Sequence, residues 1–308
     1  MERLDGGSAV PQALRGGIVA LGNFDGFHVG HPAVVGRADE RGRAEGRPVL
    51  VATFDPHPVR FFRPDTPPFR LTSLDQRQRL FSAAGADAMI VFHFGAALAA
   101  TPAEAFISTN LLDLIGAAGV VTGEDFTFGR GRGGNVEVLR AAGARLGFSV
   151  DSVGPVSDGA GPVSSSRIRD ALQAGDCRTA ARLLTRPFAI EGVVEHGDKR
   201  GRTIGYPTAN IALGPYLRPR FGIYAVRGRL ADGRRLEGAA NLGIRPTFEP
   251  PKELLEPYFF DFDGDLYGRT LEVELIDFLR PEAKFDSLDA LEAQMAADCD
   301  EARRRLAE

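Results

Sequence analysis

The sequence predicts an α/β protein in two parts, a doubly wound parallel sheet over residues 1–186 and a β-barrel with a closing helix over residues 187–308. Three observations predict it. In the first part, short apolar runs alternate with amphipathic stretches, which is the pattern of βαβ units. In the second, short alternating strands follow one another and lead to one long helical stretch. The length, 308 residues with 44% hydrophobic and 25% charged side chains, suffices for two cores and excludes disordered and fibrous chains.

The first part opens its sheet with residues 17–24 (GIVALGNF), then 48–54, 88–94, 119–122 and 148–153, all read as buried strands. Helices are expected over 74–83 and 136–146, and over 105–115 behind a capping box with Thr101 as N-cap, Pro102 at the first position and Glu104 at the third. Residues 164–184 read as two short helices around Gly175-Asp176. Beyond Arg186-Pro187, residues 190–195, 224–230, 235–240, 256–262 and 271–278 read as strands, with Asp232-Gly233 as a hairpin turn. The closing helix runs from about Ser287 to Leu306, and Arg303-Arg304-Arg305 reads as a solvated run complementing its negative end. His93, inside an apolar strand, reads as structural.

Charge and composition exclude several classes. With 37 basic and 41 acidic side chains the net charge is −4, which excludes a protein that works by coating nucleic acid or an anionic membrane. Two cysteines, Cys177 and Cys299, make neither a disulfide framework nor a Cys-based zinc site and suit a reducing, cytoplasmic location. The first residues carry no signal-peptide pattern, and no apolar run approaches the ~20 residues of a membrane span. Residues 1–186 contain 20 Arg and no Lys, and none of the three lysines, at 199, 252 and 284, follows a glycine. A P-loop is therefore absent, and any ATP chemistry must use another design.

One such design sits at residues 22–31 (GNFDGFHVGH), where a strand end leads through glycines into a helix expected to begin near Pro32. Backbone N–H groups and a positive helix end gather there, as a phosphate site requires. His28 and His31 can donate hydrogen bonds to phosphoryl oxygens as charge builds up during displacement at phosphorus. The plain alternatives are a tight turn with incidental histidines, or a zinc pair short of ligands.

The 22–31 string resembles the signature of prokaryotic FAD synthetases, a branch of the Rossmann-like HxGH nucleotidyltransferases. Residues 53–58 (TFDPHP) resemble the family's T-F-x-P-H-P, residues 123–129 (GEDFTFG) its G-x-D-F-x-F-G, and residues 164–169 (SSSRIR) its S-S-[ST]-x-I-R. The resemblance implies nucleotide contacts from Gly22, Asn23, Phe24 and Gly30. It also implies that Ser164, Ser165 and Ser166 with Arg169 hold the triphosphate tail and the leaving pyrophosphate, Arg binding phosphate as a charged fork. Taken alone, a Ser run before a helix is an N-cap. Asp125 either hydrogen-bonds a ribose or flavin edge or caps a turn, and His57 faces the flavin side of the same cleft.

A second design sits at residues 196–210 (HGDKRGRTIGYPTAN), a Gly- and Arg-rich segment that reads either as an exposed loop or as a nest for anions. It resembles the P-T-A-N signature of bacterial riboflavin kinases. Residues 222–224 (GIY), 241–247 (NLGIRPT), 256–262, 279–282 (LRPE) and 285–288 match that family's later motifs in order. The resemblance implies Mg2+ held with ATP by Thr208 and Asn210, phosphate contacts from Lys199, Gly201, Arg202 and Gly205, a flavin contact at Arg280, and Glu256 as catalytic base. Two departures stand out: Tyr258 replaces a common His, and Pro32 replaces a common Gln.

Together the motifs imply a bifunctional enzyme whose partners are riboflavin, FMN, FAD and ATP. Its barrel would phosphorylate riboflavin and its parallel-sheet domain would adenylylate FMN. A nucleotidyltransferase with another acceptor, such as pantetheine phosphate or nicotinamide mononucleotide, has no use for the attached kinase motifs. A non-enzymatic flavin sensor or RNA-binding regulator has no use for intact His28, His31, Thr208, Asn210 and Glu256. The sequence leaves the oligomeric state open.

Overall fold

A computed structural model describes residues 1–196, 205–245 and 251–308. By internal contacts the chain forms two compact units, residues 1–67 with 74–164, and residues 68–73 with 165–308.

The first unit is a six-stranded, all-parallel sheet. Its strands are β1 (Glu2–Asp5), β2 (Ile18–Leu21), β3 (Val49–Asp55), β4 (Ala88–His93), β5 (Gly119–Gly123) and β6 (Ser149–Val153), in the order β1-β4-β3-β2-β5-β6. Helices α1 (Gly30–Glu45), α2 (Pro58–Phe62), α3 (Leu74–Ala83), α4 (Ala96–Ala100), α5 (Ala103–Ala105, continuing as a π-helix over Phe106–Leu114) and α6 (Val136–Leu146) connect them. The central strands are buried on both faces, which is why they read as unbroken apolar runs. Period two sorts their side chains. Val19, Leu21, Leu50, Ala52 and Ile90 join one core with Ile107 and Leu111, while Ile18, Ala20, Val49, Val51 and Met89 join another with Val34, Val35 and Phe81.

The chain builds outward from β2 through β3 to β4, then returns to β5 on the other side of β2. That reversal opens a crevice at the carboxyl end of β2, the place where open α/β sheets bind ligands. The 22–31 loop begins there.

Three expectations fail locally. Thr101 is not an N-cap: it closes α4, its hydroxyl donates to the Ala97 carbonyl, and Pro102 precedes α5 without a side-chain cap bond. Glu104 pairs instead with Arg145. His93 is not an interior residue but the exposed last residue of β4.

The second unit opens with α7 (Ser165–Ala174) and α8 (Cys177–Leu184). Gly175, at φ +83°, ends α7, and the Asp176 carboxylate caps α8 by accepting from the Thr179 N–H. The antiparallel sheet has strands β7 (Phe188–Val193), β8 (Ile211–Ala212), β9 (Gly222–Leu230), β10 (Arg235–Arg245), β11 (Lys252–Phe259) and β12 (Thr270–Arg280), ordered β7-β12-β9-β10-β11-β8. Its ends meet where the Glu195 N–H donates to the Asn210 carbonyl at 2.8 Å, which nearly closes a barrel. Asp232-Gly233 forms the expected turn between β9 and β10.

The closing helix α9 (Leu288–Leu306) starts where predicted, with the Ser287 hydroxyl accepting from the Ala290 N–H. Its last arginines are not simply solvated. Arg303 lies over the Phe260 ring at 4.2 Å and Arg305 pairs with Asp277 at 2.6 Å, so they fasten the helix to the barrel.

Gly222 shows why the G-x-Y motif needs glycine. Its φ is +151°, and a Cβ there would lie 2.3 Å from the Arg280 carbonyl oxygen, which is backbone and cannot swing away. Gly222→Ala is expected to cost about 3 kcal/mol. It should lower the unfolding temperature of the barrel by about 10 °C, read by calorimetry.

Candidate active sites

In the first unit the loop after β2 winds through left-handed backbone at Phe24 (φ 51°), Gly26 (φ 84°) and Phe27 (φ 45°). Packing holds this conformation. Phe24 and Phe27 are buried, and both meet Phe81 of α3 edge-on, at 5.5 and 5.3 Å between ring centroids. His31 sits against the same pair, 5.2 Å from Phe24 and 6.1 Å from Phe27, and stacks on His28 at 3.8 Å.

The histidine tautomers follow from the hydrogen bonds. The Gly30 N–H donates to His28 Nδ1 (3.3 Å), and the His28 N–H donates to His31 Nδ1 (3.2 Å). Both Nδ1 atoms are therefore acceptors, and each neutral ring carries its proton on Nε2. The loop thus supplies two Nε2–H donors beside the amino end of α1.

Next to this loop is a cavity of about 730 Å3. Its aromatic wall includes Phe54, Phe62, Phe94, Phe106 and Phe128, and Asn23 and His57 also line it. Among the described residues the buried Asn23 Oδ1 has no hydrogen-bond partner, which puts a polar acceptor beside an apolar slot. His57 caps α2, its Nδ1 accepting from the Val59 N–H. Asp125 is exposed; a Cβ on Gly123 would lie 3.0 Å from its Oδ1, while its neighbours Phe126 and Thr127 form cavity wall. Ser164 belongs to the first unit, and Ser165, Ser166 and Arg169 to the second. The Arg169 Nε donates to the Phe69 carbonyl at 2.9 Å, and its guanidinium lies 5.1 Å from the Phe69 ring centroid.

The second unit holds a cavity of about 760 Å3 between barrel and closing helix. Thr208, Asn241, Glu256, Tyr258, Arg280 and Glu282 are among its lining residues. Glu256 stands on β11 opposite Asn241 of β10, forms an ion pair with Arg245, and accepts a long contact from Asn241 Nδ2 (3.5 Å). Asn241 Nδ2 also donates to Glu282 (3.3 Å), which lies 3.5 Å from Arg245. Sequence reading gave roles to neither Asn241, Arg245 nor Glu282. Their only signal was membership of the motifs at 241–247 and 279–282, because the network joins β10, β11 and the segment after β12, which are far apart in the chain.

Gly243 makes room for this network, since a Cβ there would lie 2.3 Å from Glu282 Oε1. A carboxylate tip can swing aside, so Gly243→Ala is expected to leave the unfolding temperature unchanged. Displacing Glu282 from Asn241 and Arg245 should lower about tenfold, in a steady-state assay, the riboflavin phosphorylation that the barrel motifs imply.

The 208–210 segment lies along β11, where the Ala209 N–H donates to the Pro257 carbonyl at 3.0 Å. Thr208 is half-buried and Asn210 buried. Among the described residues no group of three or more His, Cys, Asp or Glu could hold a metal alone. A hydroxyl and a carboxamide are hard oxygen donors, which fit Mg2+ that keeps waters and nucleotide phosphates as its remaining ligands. Tyr258 packs edge-on to Tyr206 at 5.1 Å and near Phe260 at 6.0 Å, so the departure from His adds to an aromatic wall. Arg280 is clamped by Asp298 through two hydrogen bonds of 2.8 and 2.6 Å and lies 5.8 Å from the Phe285 ring centroid. Gly205 is exposed at φ +82°. Lys199, Gly201 and Arg202 lie outside the described residues.

Known proteins match both halves. The family model described as FAD synthetase matches residues 10–167, and that described as riboflavin kinase matches residues 184–306. The bifunctional riboflavin kinase/FMN adenylyltransferase of Escherichia coli K12 is 40% identical, the match covering 94% of this chain and 92% of that one. This chain belongs to the bifunctional riboflavin kinase/FMN adenylyltransferase family. Members in Pseudomonas fluorescens (40% identical, 94% and 93% covered) and Haemophilus influenzae (38%, 95% and 95%) also match this flavin enzyme nearly end to end. A Streptococcus pneumoniae crystal structure named a macrolide-efflux protein is 31% identical, covers 99% of each chain and has a TM-score of 0.86. That name stays with that protein. Among the described residues of this flavin enzyme, no helix is long and apolar enough to cross a membrane.

Proposed function

We propose that the chain makes both flavin cofactors, phosphorylating riboflavin to FMN in the barrel and adenylylating FMN to FAD in the parallel-sheet unit. The observation that carries this reading is the matched pair of family models, in order, over residues 10–167 and 184–306. On this reading residues 1–186 serve adenylyl transfer and residues 187–308 serve the kinase.

In the barrel, Glu256 takes the proton of the ribityl 5′-hydroxyl as that oxygen attacks the γ-phosphorus of ATP. The new O–P bond forms as the bond to the β-phosphate oxygen breaks, and ADP leaves. Thr208 and Asn210 would hold Mg2+ together with the nucleotide, where it would neutralise phosphate charge. Lys199, Gly201, Arg202 and Gly205 cradle the phosphates, and Arg280, fixed by Asp298, contacts the flavin.

In the parallel-sheet unit the FMN phosphate, already ionised near neutral pH, attacks the α-phosphorus of ATP and pyrophosphate leaves. No general base is needed. The Nε2–H groups of His28 and His31 stabilise charge on the phosphoryl oxygens. Gly22, Asn23, Phe24 and Gly30 bring the loop against the nucleotide, Ser164, Ser165, Ser166 and Arg169 take the triphosphate tail, and the cavity with His57 takes the isoalloxazine, with Asp125 at its edge. The location is the cytoplasm, in keeping with the free thiols of Cys177 and Cys299.

The purified chain is expected to convert riboflavin and ATP to FMN and ADP, and supplied FMN and ATP to FAD and pyrophosphate, with products resolved by chromatography. Formation of neither flavin product overturns the assignment.

A further inference from the structure

One buried cation joins the two strand ends that carry the adenylyltransferase motifs. Arg77, on α3, has a side chain only 3% exposed. Its Nη1 donates to the Asn23 carbonyl at 3.3 Å and to Thr53 Oγ1 at 3.2 Å, and its Nη2 lies 3.9 Å from Asp55. The Thr53 hydroxyl in turn donates to the same Asn23 carbonyl at 2.9 Å. One peptide oxygen, at the start of the loop bearing His28 and His31, is thus held from two sides.

That peptide is where the loop departs from extended backbone. The next residue, Phe24, has φ 51°, and its ring lies against His31. Asn23 also carries the buried Oδ1, which has no partner among the described residues, and lines the aromatic cavity. Turning the Asn23 carbonyl therefore moves both the carboxamide and the phenyl ring that abuts a histidine. Burying an arginine fork costs desolvation, and a hydrophobic residue on that face of α3 would pack without this cost. Only the fork reaches the Asn23 carbonyl, Thr53 and Asp55 at once.

We propose that Arg77 is a positioning residue for adenylyl transfer, setting the Asn23 peptide and through it the Phe24–His31 geometry without touching the reacting atoms. The inference rests on the adenylyltransferase reading of this unit. Arg77→Lys keeps the charge and loses the fork; Arg77→Ala leaves a space that guanidinium ion can enter.

The full-length variants are assayed with FMN, ATP and Mg2+, alongside the native protein. Arg77→Lys is expected to lower kcat for FAD formation about 100-fold, with the KM for FMN held within about threefold, the signature of lost transition-state geometry. Riboflavin phosphorylation by the same sample should stay within about twofold, which shows that the barrel is intact, and an unchanged unfolding temperature of the parallel-sheet unit shows that Arg77→Lys leaves that unit folded. Millimolar guanidinium should restore FAD formation by Arg77→Ala at least about tenfold. Unchanged kcat in Arg77→Lys overturns the inference. So does a loss that comes with a lowered unfolding temperature and no guanidinium rescue, since Arg77 would then be structural only. Failure of the native protein to form FAD overturns the adenylyltransferase reading itself, and this inference with it.

Discussion

His28→Ala lowers FAD formation about 1000-fold while FMN formation continues at the native rate. The magnitude is that of removing one preorganised donor to a developing negative charge, about 100- to 1000-fold. The upper end is expected because the two histidines are coupled. His28 stacks on His31 at 3.8 Å, and its backbone N–H fixes the His31 tautomer. Alanine keeps that N–H but removes the stacking partner, so the second donor loses its orientation as well. The barrel is a separate compact unit with its own cavity, so its turnover serves as the internal control. Product chromatography with riboflavin as the only flavin decides the matter, since FMN should accumulate and FAD should be absent. Equal loss of both activities would contradict separate sites.

Glu256→Gln does the reverse. Removing a positioned general base costs about 100- to 10,000-fold, so FMN formation should nearly vanish while supplied FMN is still converted to FAD. Gln has almost the same shape and still accepts through its carbonyl oxygen, so Asn241 keeps a partner. The Arg245 ion pair is lost, but Arg245 retains Glu282 at 3.5 Å, and the cationic side chain is not left alone. The effect should therefore fall on kcat with little change in stability. A fall in unfolding temperature of several degrees would mean that Glu256 acts mainly as a strut.

The sequence carried the sheet unevenly. Strands β2 to β5 were legible because burial on both faces makes them nearly continuous apolar runs. β1 (Glu2–Asp5) was not, since an edge strand with burial on few positions shows no such run, and only its pairing with β4 reveals it. The 101–104 capping box fitted the local pattern but lost to α4, a short helix whose last turn takes the Thr101 hydroxyl. α2 escaped notice because five residues are too few for periodicity to register.

The candidate sites divide the same way. His28, His31 and Thr208 stand in compact strings rich in chemistry, while Glu256 stood out only through the family resemblance. Arg77 and Glu282 stood out in neither way. Arg77 lies in a polar stretch of α3 and would pass for a solvated helix face; its burial exists only once α3 packs on the ends of β2 and β3. Glu282 reaches its partners only because Gly243, 39 positions earlier, lacks a side chain. Such residues are specified by the fold, and a linear reading sees them as ordinary charged positions.

The central claim is that two phosphorus chemistries run on one chain, displacement at the γ-phosphorus in the barrel and at the α-phosphorus in the parallel-sheet unit. The most direct measurement follows the phosphates: riboflavin and Mg2+ with ATP labelled at the γ-phosphate in one reaction and at the α-phosphate in another. The account predicts the γ label in FMN, both labels in FAD and the α label in ADP. FMN without the γ label, or FAD without the α label, would contradict it.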